Sequence, residues 1–429
     1  MERQKIKSIN YFKLTTASVI VGISSCLLAF SLKHLTEYFE NLIFNQTNSK
    51  YSTMLIFLPT IGITIIYFLR KYIFKNRKNK GITEIYQTLE ERKNHLPLFK
   101  IFSHYVNGFL TIIFGGSTGI EVSTVVATAT VGNFAYEKEF SAKKYKRELI
   151  CAGVTAGVAV LFCSPLAGLL FSMEVIAKKI NKTITLACSA SAIISWIFIR
   201  LFDNQHLLSN KVIGWNYYAI PFFIILSILG GILAVYFTLL VTHIKRLFGN
   251  ISNNFIRVNI GALLVGLMIF LFPVLYGDSY HGLREILSEI PTTSKISLFF
   301  LLSITLLKPL VASLTLGAGG DGGVFAPSIV AGAFLGLLVA LIGNKYFNTN
   351  LIPLNFALVG ASATLSASLF APLTSIILIC DLLPNGYVLF IPILIGSLFS
   401  YLISKRILPY NVYSFDSYTK NHTLKKGST

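Results

Sequence analysis

Charge is scarce in this chain. Asp, Glu, Lys and Arg make up 13% of its 429 residues, where a soluble domain carries about a quarter. Acidic residues are the rarer part, 18 against 37 Lys and Arg, which leaves a net charge of +19. Hydrophobic residues fill 54% of positions and the mean hydropathy is +0.67. So much apolar side chain cannot all be hidden in one water-soluble core, and the chain reads as a polytopic membrane protein.

Cysteine and histidine are too sparse and scattered for metal or redox chemistry. The five cysteines (Cys26, Cys151, Cys163, Cys188, Cys380) lie in apolar stretches without ligand or framework spacing, and read as reduced packing residues. None of the seven histidines pairs with Cys, Asp or Glu at metal-ligand spacing. Paired His and carboxylates, a nucleophile elbow and a metal cluster are all missing. An enzyme is therefore only a remote reading, and no metal or cofactor is expected. No basic aromatic module points to nucleic acid. The basic runs Lys71–Lys80 and Lys138–Glu148 read instead as positively charged cytoplasmic loops. The opening MERQKIKSINYFK, followed at once by an apolar run, reads as a cytoplasmic segment (1–13) before a retained first membrane helix.

What the chain does have is a succession of apolar segments from residue 14 to 403. Several, such as 149–163, 164–177 and 371–383, are too short to cross a hydrocarbon core needing roughly 20 helical residues. Many are interrupted by Gly or Pro. Irregular backbone at membrane depth survives only where protein or a water-filled cavity covers it, so short, broken helices point to a transport pathway.

The densest signal is Gly317–Gly336, where five glycines fall within seven residues and a helical apolar run follows. Glycine permits close approach of backbone to a ligand. A helix starting after such a loop offers unpaired N–H groups and a positive dipole end, which is an anion-binding arrangement. The pattern recurs. Gly116–Gly132 answers Gly320–Gly336, and Ser164-Pro-Leu…Glu174 answers Ala371-Pro-Leu…Asp381 at the same spacing. Each Pro-Leu segment follows a small-residue helix. Repeat-built transporters bind substrate where broken helices of the two halves converge. Gly81-Ile-Thr-Glu84 is a third candidate helix start.

The run Gly322-Gly-Val-Phe-Ala-Pro327 and the two Pro-Leu helices resemble the family of chloride channels and chloride/proton antiporters (CLC), with supporting motifs across about 79 to 414. The resemblance implies an all-α membrane domain over 14–414 with two inverted repeats of intramembrane helices, about 79–200 and 218–403. It also implies a homodimer, one anion pathway per subunit, and a multi-pass position in the cell membrane with both termini cytoplasmic. The stretch 415–429 is expected as a short polar tail, without the large nucleotide-binding domain many eukaryotic relatives carry. By position, the anion-binding residues would be Gly323, Val324, Phe325 and Ala326 at one helix start, Thr118, Gly119 and Ile120 at another, Lys80, Gly81 and Ile82 at the third, and Tyr413. Lys308 falls where relatives carry a basic residue; it is either a functional buried cation or one that snorkels or pairs with Asp321.

The departures from the family pattern bear on mechanism. Lys80 replaces the serine that donates a hydroxyl to the anion; it would either draw anions by charge or swing out to the cytoplasm. Thr118 replaces the glutamate that serves as gate and proton acceptor. Glu121, about one turn on, is expected to complement the dipole in the first helical turn, with a displaced gate as the other reading. Val175 stands where antiporters carry a second, proton-handling glutamate, and Glu174 before it is expected to be structural. With both proton groups changed, the expectation is passive flux of chloride or a similar small anion, uncoupled from protons. The alternatives are a chloride/proton antiporter using Glu121, or a fluoride- or nitrate-selective relative.

Overall fold

The computed structural model describes residues 2–50, 52–75, 77, 79–91, 94–141, 144–203, 207–289, 297–416 and 418–419. Most of the expected tail 415–429 lies outside them. The helices in order are α1 (Glu2–Lys50), α2 (Leu58–Phe68), α3 (Ile82–Glu90), α4 (Phe99–Ile113), α5 (Glu121–Glu137), α6 (Lys146–Phe162), α7 (Pro165–Phe171), α8 (Lys182–Phe202), α9 (Ile220–Gly249), α10 (Asn254–Leu271), α11 (Tyr280–Glu289), α12 (Leu298–Ala318), α13 (Phe325–Phe347), α14 (Pro353–Leu369), α15 (Pro372–Asp381) and α16 (Phe390–Ile407). Among the described residues, eight helical stretches are long and apolar enough to cross a membrane. The shorter α14 is buried almost throughout, and α7 and α15 are buried in part, which is where interrupted backbone is tolerable.

The two halves pack alike. α1 lies against α4, α6 and α8, and α9 lies against α12, α14 and α16. α5 packs on α6 as α13 packs on α14, and α7 meets α15 between the halves. Residue 13 falls inside α1, whose 49 residues span roughly 70 Å at the usual helical rise. α1 and α2 both precede residue 79. Those helices share a packing place with α9 and α10 but no motif, so the sequence pattern did not reveal them.

Local chemistry explains the broken helices. α6 ends at Cys163 and α14 at Phe370, both left-handed (φ 51° and 58°). Each turn leads into Ser164-Pro165 or Ala371-Pro372, where proline suits the first helical position because its missing N–H would be unpaired there anyway. The acidic ends of the two Pro-Leu helices then cap one another. Glu174 accepts from the N–H groups of Leu373 (3.2 Å) and Thr374 (2.9 Å) and from the Thr374 hydroxyl (2.8 Å). In return, Asp381 accepts from the hydroxyl of Ser164, the residue capping α7. A pseudo-two-fold relation between the halves follows from that exchange.

Candidate functional site

The same reciprocity builds the centre. At the end of α4, Thr111 O accepts from Gly116 N at 2.7 Å; at the end of α12, Thr315 O accepts from Gly320 N at 2.9 Å. The hydroxyls of these threonines cross over. Thr315 Oγ1 accepts from Ser117 N (3.1 Å), and Thr111 Oγ1 accepts from Asp321 N (2.9 Å). Gly119 and Gly323 form an antiparallel bridge, with Gly323 N donating to Gly119 O at 3.2 Å. The two Gly-rich loops are thus locked side by side, and α5 and α13 start from them. Each start sends its N–H groups and positive dipole end toward the junction.

Two further elements reach this junction. Val122 lies over it, 2.3 Å from where a Cβ on Gly323 would sit and 3.2 Å from one on Gly81. The second contact brings in Gly81, the N-cap of α3 (φ 63°), with Ile82 fully buried behind it. From beyond α16, Tyr413 turns back so that its hydroxyl accepts from Val324 N at 3.3 Å. Phe325 is buried with its ring edge-on to Phe171, centroids 5.2 Å apart, and Ala326 is buried next to it. Ile120, half-buried, is the N-cap of α5. The three expected helix starts and Tyr413 therefore meet in one place. Lys80 stands apart: its side chain is exposed, and its backbone N–H donates to Glu84 Oε1.

Thr118 is fully buried and its hydroxyl has no hydrogen-bond partner among the described residues. Glu121 is the larger surprise. It does occupy the first turn of α5, yet its carboxylate folds back toward the junction instead of outward. Oε2 lies 1.9 Å from where a Cβ on Gly119 would be, so glycine is required there. The carboxylate faces its own N–H and that of Ala326 at the start of α13. Glu121 is 3% exposed, and Oε2 has no hydrogen-bond partner among the described residues. A carboxylate in this position occupies the kind of N–H-rich place an anion would take.

Lys308 neither snorkels nor pairs with Asp321. Fully buried, it donates to Ser117 Oγ (2.8 Å), Gly277 O (3.0 Å) and Ser279 Oγ (2.7 Å). Asp321 is met instead by His104 Nδ1 at 3.3 Å, Arg70 at 3.8 Å and Asn79. His104 on α4 and Lys308 on α12 each stand twelve residues before a glycine of the loop that follows, Gly116 or Gly320. Each reaches across to the loop of the other half. That shared spacing was the available signal for the pair, and sequence reading passed over it. Val175 is buried, and its carbonyl accepts from the Tyr86 hydroxyl at 3.1 Å. The position of the missing glutamate is therefore apolar. The segment Asp278-Ser-Tyr280 was also missed, although polar residues between two apolar runs could have marked it.

Comparison with known proteins agrees with this geometry. The family model described as voltage gated chloride channel matches residues 61–405. Among solved structures, a CLC-type fluoride/proton antiporter is 22% identical with TM-score 0.77, over 93% of this chain and 96% of its own. A slow cyanobacterial Cl−/H+ antiporter is 20% identical with TM-score 0.80, over 97% and 99%. A eukaryotic CLC transporter is 19% identical with TM-score 0.79, over 94% and 73%. At these identities the likeness to the solved structures speaks for the fold.

Proposed function

Because the chain belongs to the voltage gated chloride channel family, a family of anion transporters and channels rather than enzymes, we propose that it exchanges a small monovalent anion for protons, with Glu121 as the gate. This reverses the expectation of passive flux. The observation that supports the reversal is the Glu121 carboxylate, buried at the junction of α5 and α13 and facing the Ala326 N–H. Ionised, it competes with the anion for the same N–H groups. Protonated, it loses its claim on them and leaves the place to the anion. Such alternation couples the two ions, since each proton bound frees a place for an anion.

The anion site proper comprises the starts of α5 and α13 with Val324, Phe325 and the Tyr413 hydroxyl. Its attraction comes from backbone dipoles, which keeps affinity moderate, as passage through a pore demands. Chloride is the proposed anion. The unpartnered Thr118 hydroxyl beside Gly322 supplies a donor where the usual gate stood, and an anion can accept from it. Lys80, exposed, is left out of the site. Glu174 serves as a helix cap and takes no part in proton movement.

The test uses purified protein in liposomes with a chloride gradient as the sole driving force. The expected result is proton movement against its own gradient, in fixed ratio to chloride. Chloride flux with no proton movement at any pH would return the protein to the passive class.

A further inference from the structure

Glu121 needs a supply of protons, and the structure holds a second cluster of acids beside it that anion binding does not use. A cavity of about 230 Å³ lies where α1 meets the segment before α11, lined by Glu40, Phe44, Tyr276, His281 and Glu285. The Glu40 carboxylate also reaches inward. Its Oε1 lies 1.8 Å from where a Cβ on Gly277 would sit, and it faces the N–H of Asp278. Gly277 and Ser279 both have positive φ (55° and 69°), so residues 277–280 turn tightly between the cavity and the junction of α5 and α13. Lys308 is fixed to that turn through Gly277 O and Ser279 Oγ. Asp278 Oδ1 accepts from Tyr280 N at 2.9 Å. The Tyr280 side chain then points to Glu121: among the described residues its buried hydroxyl has no hydrogen-bond partner and faces the Glu121 carboxylate, whose Oε2 has none either.

Charge balance makes the cluster more than packing. Lys308 faces Asp278, Glu40 and Glu121 together. Buried carboxylates at close range cannot all stay ionised, so they share exchangeable protons. Glu37 on α1 and His281 and Arg284 on α11 also face this group, and Tyr413 also faces Glu121. Intramembrane acids in such a chain are expensive and serve as proton relays elsewhere.

We propose that this cluster is the proton route to the gate: Glu40 takes protons from the cavity, Asp278 beside Lys308 receives them, and the Tyr280 hydroxyl passes one to Glu121. In the last step the hydroxyl gives its own proton to the Glu121 carboxylate while gaining another from the Asp278 side. The tyrosine ends neutral and one proton has moved inward. Lys308 holds the turn in place through Gly277 O and Ser279 Oγ. The inference rests on the reading of Glu121 as the gate.

The test compares proton and chloride fluxes in liposomes for the wild type, Glu40→Gln, Glu40→Asp, Tyr280→Phe and Glu121→Gln. Glu40→Gln and Tyr280→Phe are expected to lower the ratio of protons to chloride about tenfold, less than the ~10²-fold typical of a direct proton-transfer group, and Glu40→Asp to restore it. Wild-type ratios in Glu40→Gln and Tyr280→Phe, with Glu121→Gln proton-silent, would overturn the route and leave the gate standing. Proton and chloride fluxes that fall together without rescue by Glu40→Asp would mark a structural role and also overturn it. A wild-type ratio in Glu121→Gln would remove the gate itself.

Discussion

Glu121→Gln is expected to abolish proton movement while anion flux continues. Glutamine keeps the size of the side chain and its fit over Gly119, so the fold and the anion place should survive. It removes the proton that couples the two fluxes. Loss of one positioned proton-transfer group costs about 10²- to 10⁴-fold, which puts the remaining proton flux below detection in a liposome assay. The anion arm of the experiment carries a sign. Wild-type chloride flux should rise on acidification, because a neutral Glu121 no longer competes for the Ala326 N–H. The variant should be flat with pH. Thr118 makes a contrasting partner: with no proton to exchange, Thr118→Val should weaken chloride binding and leave the flux ratio near the wild-type value.

The second large effect concerns the fold. Gly360→Val is expected to give no monodisperse protein. A Cβ at Gly360 would lie 2.2 Å from Gly332 O and 3.0 Å from Gly336 N, backbone atoms of α13 that cannot step aside. Gly332 and Gly336 meet α14 in the same way, at 2.3 Å from Gly360 O and 1.9 Å from Phe356 O. Small residues at such a crossing let helices approach closely without any hydrophobic drive from the lipid. Overpacking a core commonly costs about 1–3 kcal/mol, and here relief requires moving α13, which carries Val324 and Phe325. Gly214→Val is the matched control: a Cβ there meets nothing within 4 Å, and it should purify as wild type. Size-exclusion profiles of the two variants decide the point. A monodisperse Gly360→Val protein with normal flux would show that the α13–α14 contact is looser than its geometry.

How much of this was legible beforehand depended on where the signal was local. The Gly322–Pro327 run, the paired Pro-Leu helices and the spacing of the two Gly-rich loops are local patterns, and each led to the right element. The packing place that α1 shares with α9 was not legible, because the two helices are alike in what they pack against and not in their residues. Lys308 and Asp321 were also opaque. Lys308's partners sit on Ser117 and the 277–279 turn, and those of Asp321 include Arg70 and His104, all far away along the chain. Glu121 shows the limit most clearly. Its position in the first turn of α5 was foreseen, but one side-chain direction separates a dipole complement from a gate. That direction is set by Gly119, which leaves room for the carboxylate, and by the Ala326 N–H of the other half.

The central claim is that the Glu121 carboxylate and the transported anion take turns in one place. Crystals grown in bromide at high and at low pH, read by anomalous diffraction, test it most directly. Bromide density near Val324 and Phe325 should be weak at high pH, with Glu121 folded over Gly119. At low pH it should be strong, with the Glu121 side chain turned away. Full bromide occupancy at the start of α13 with Glu121 still against Ala326, at both pH values, would contradict this alternation.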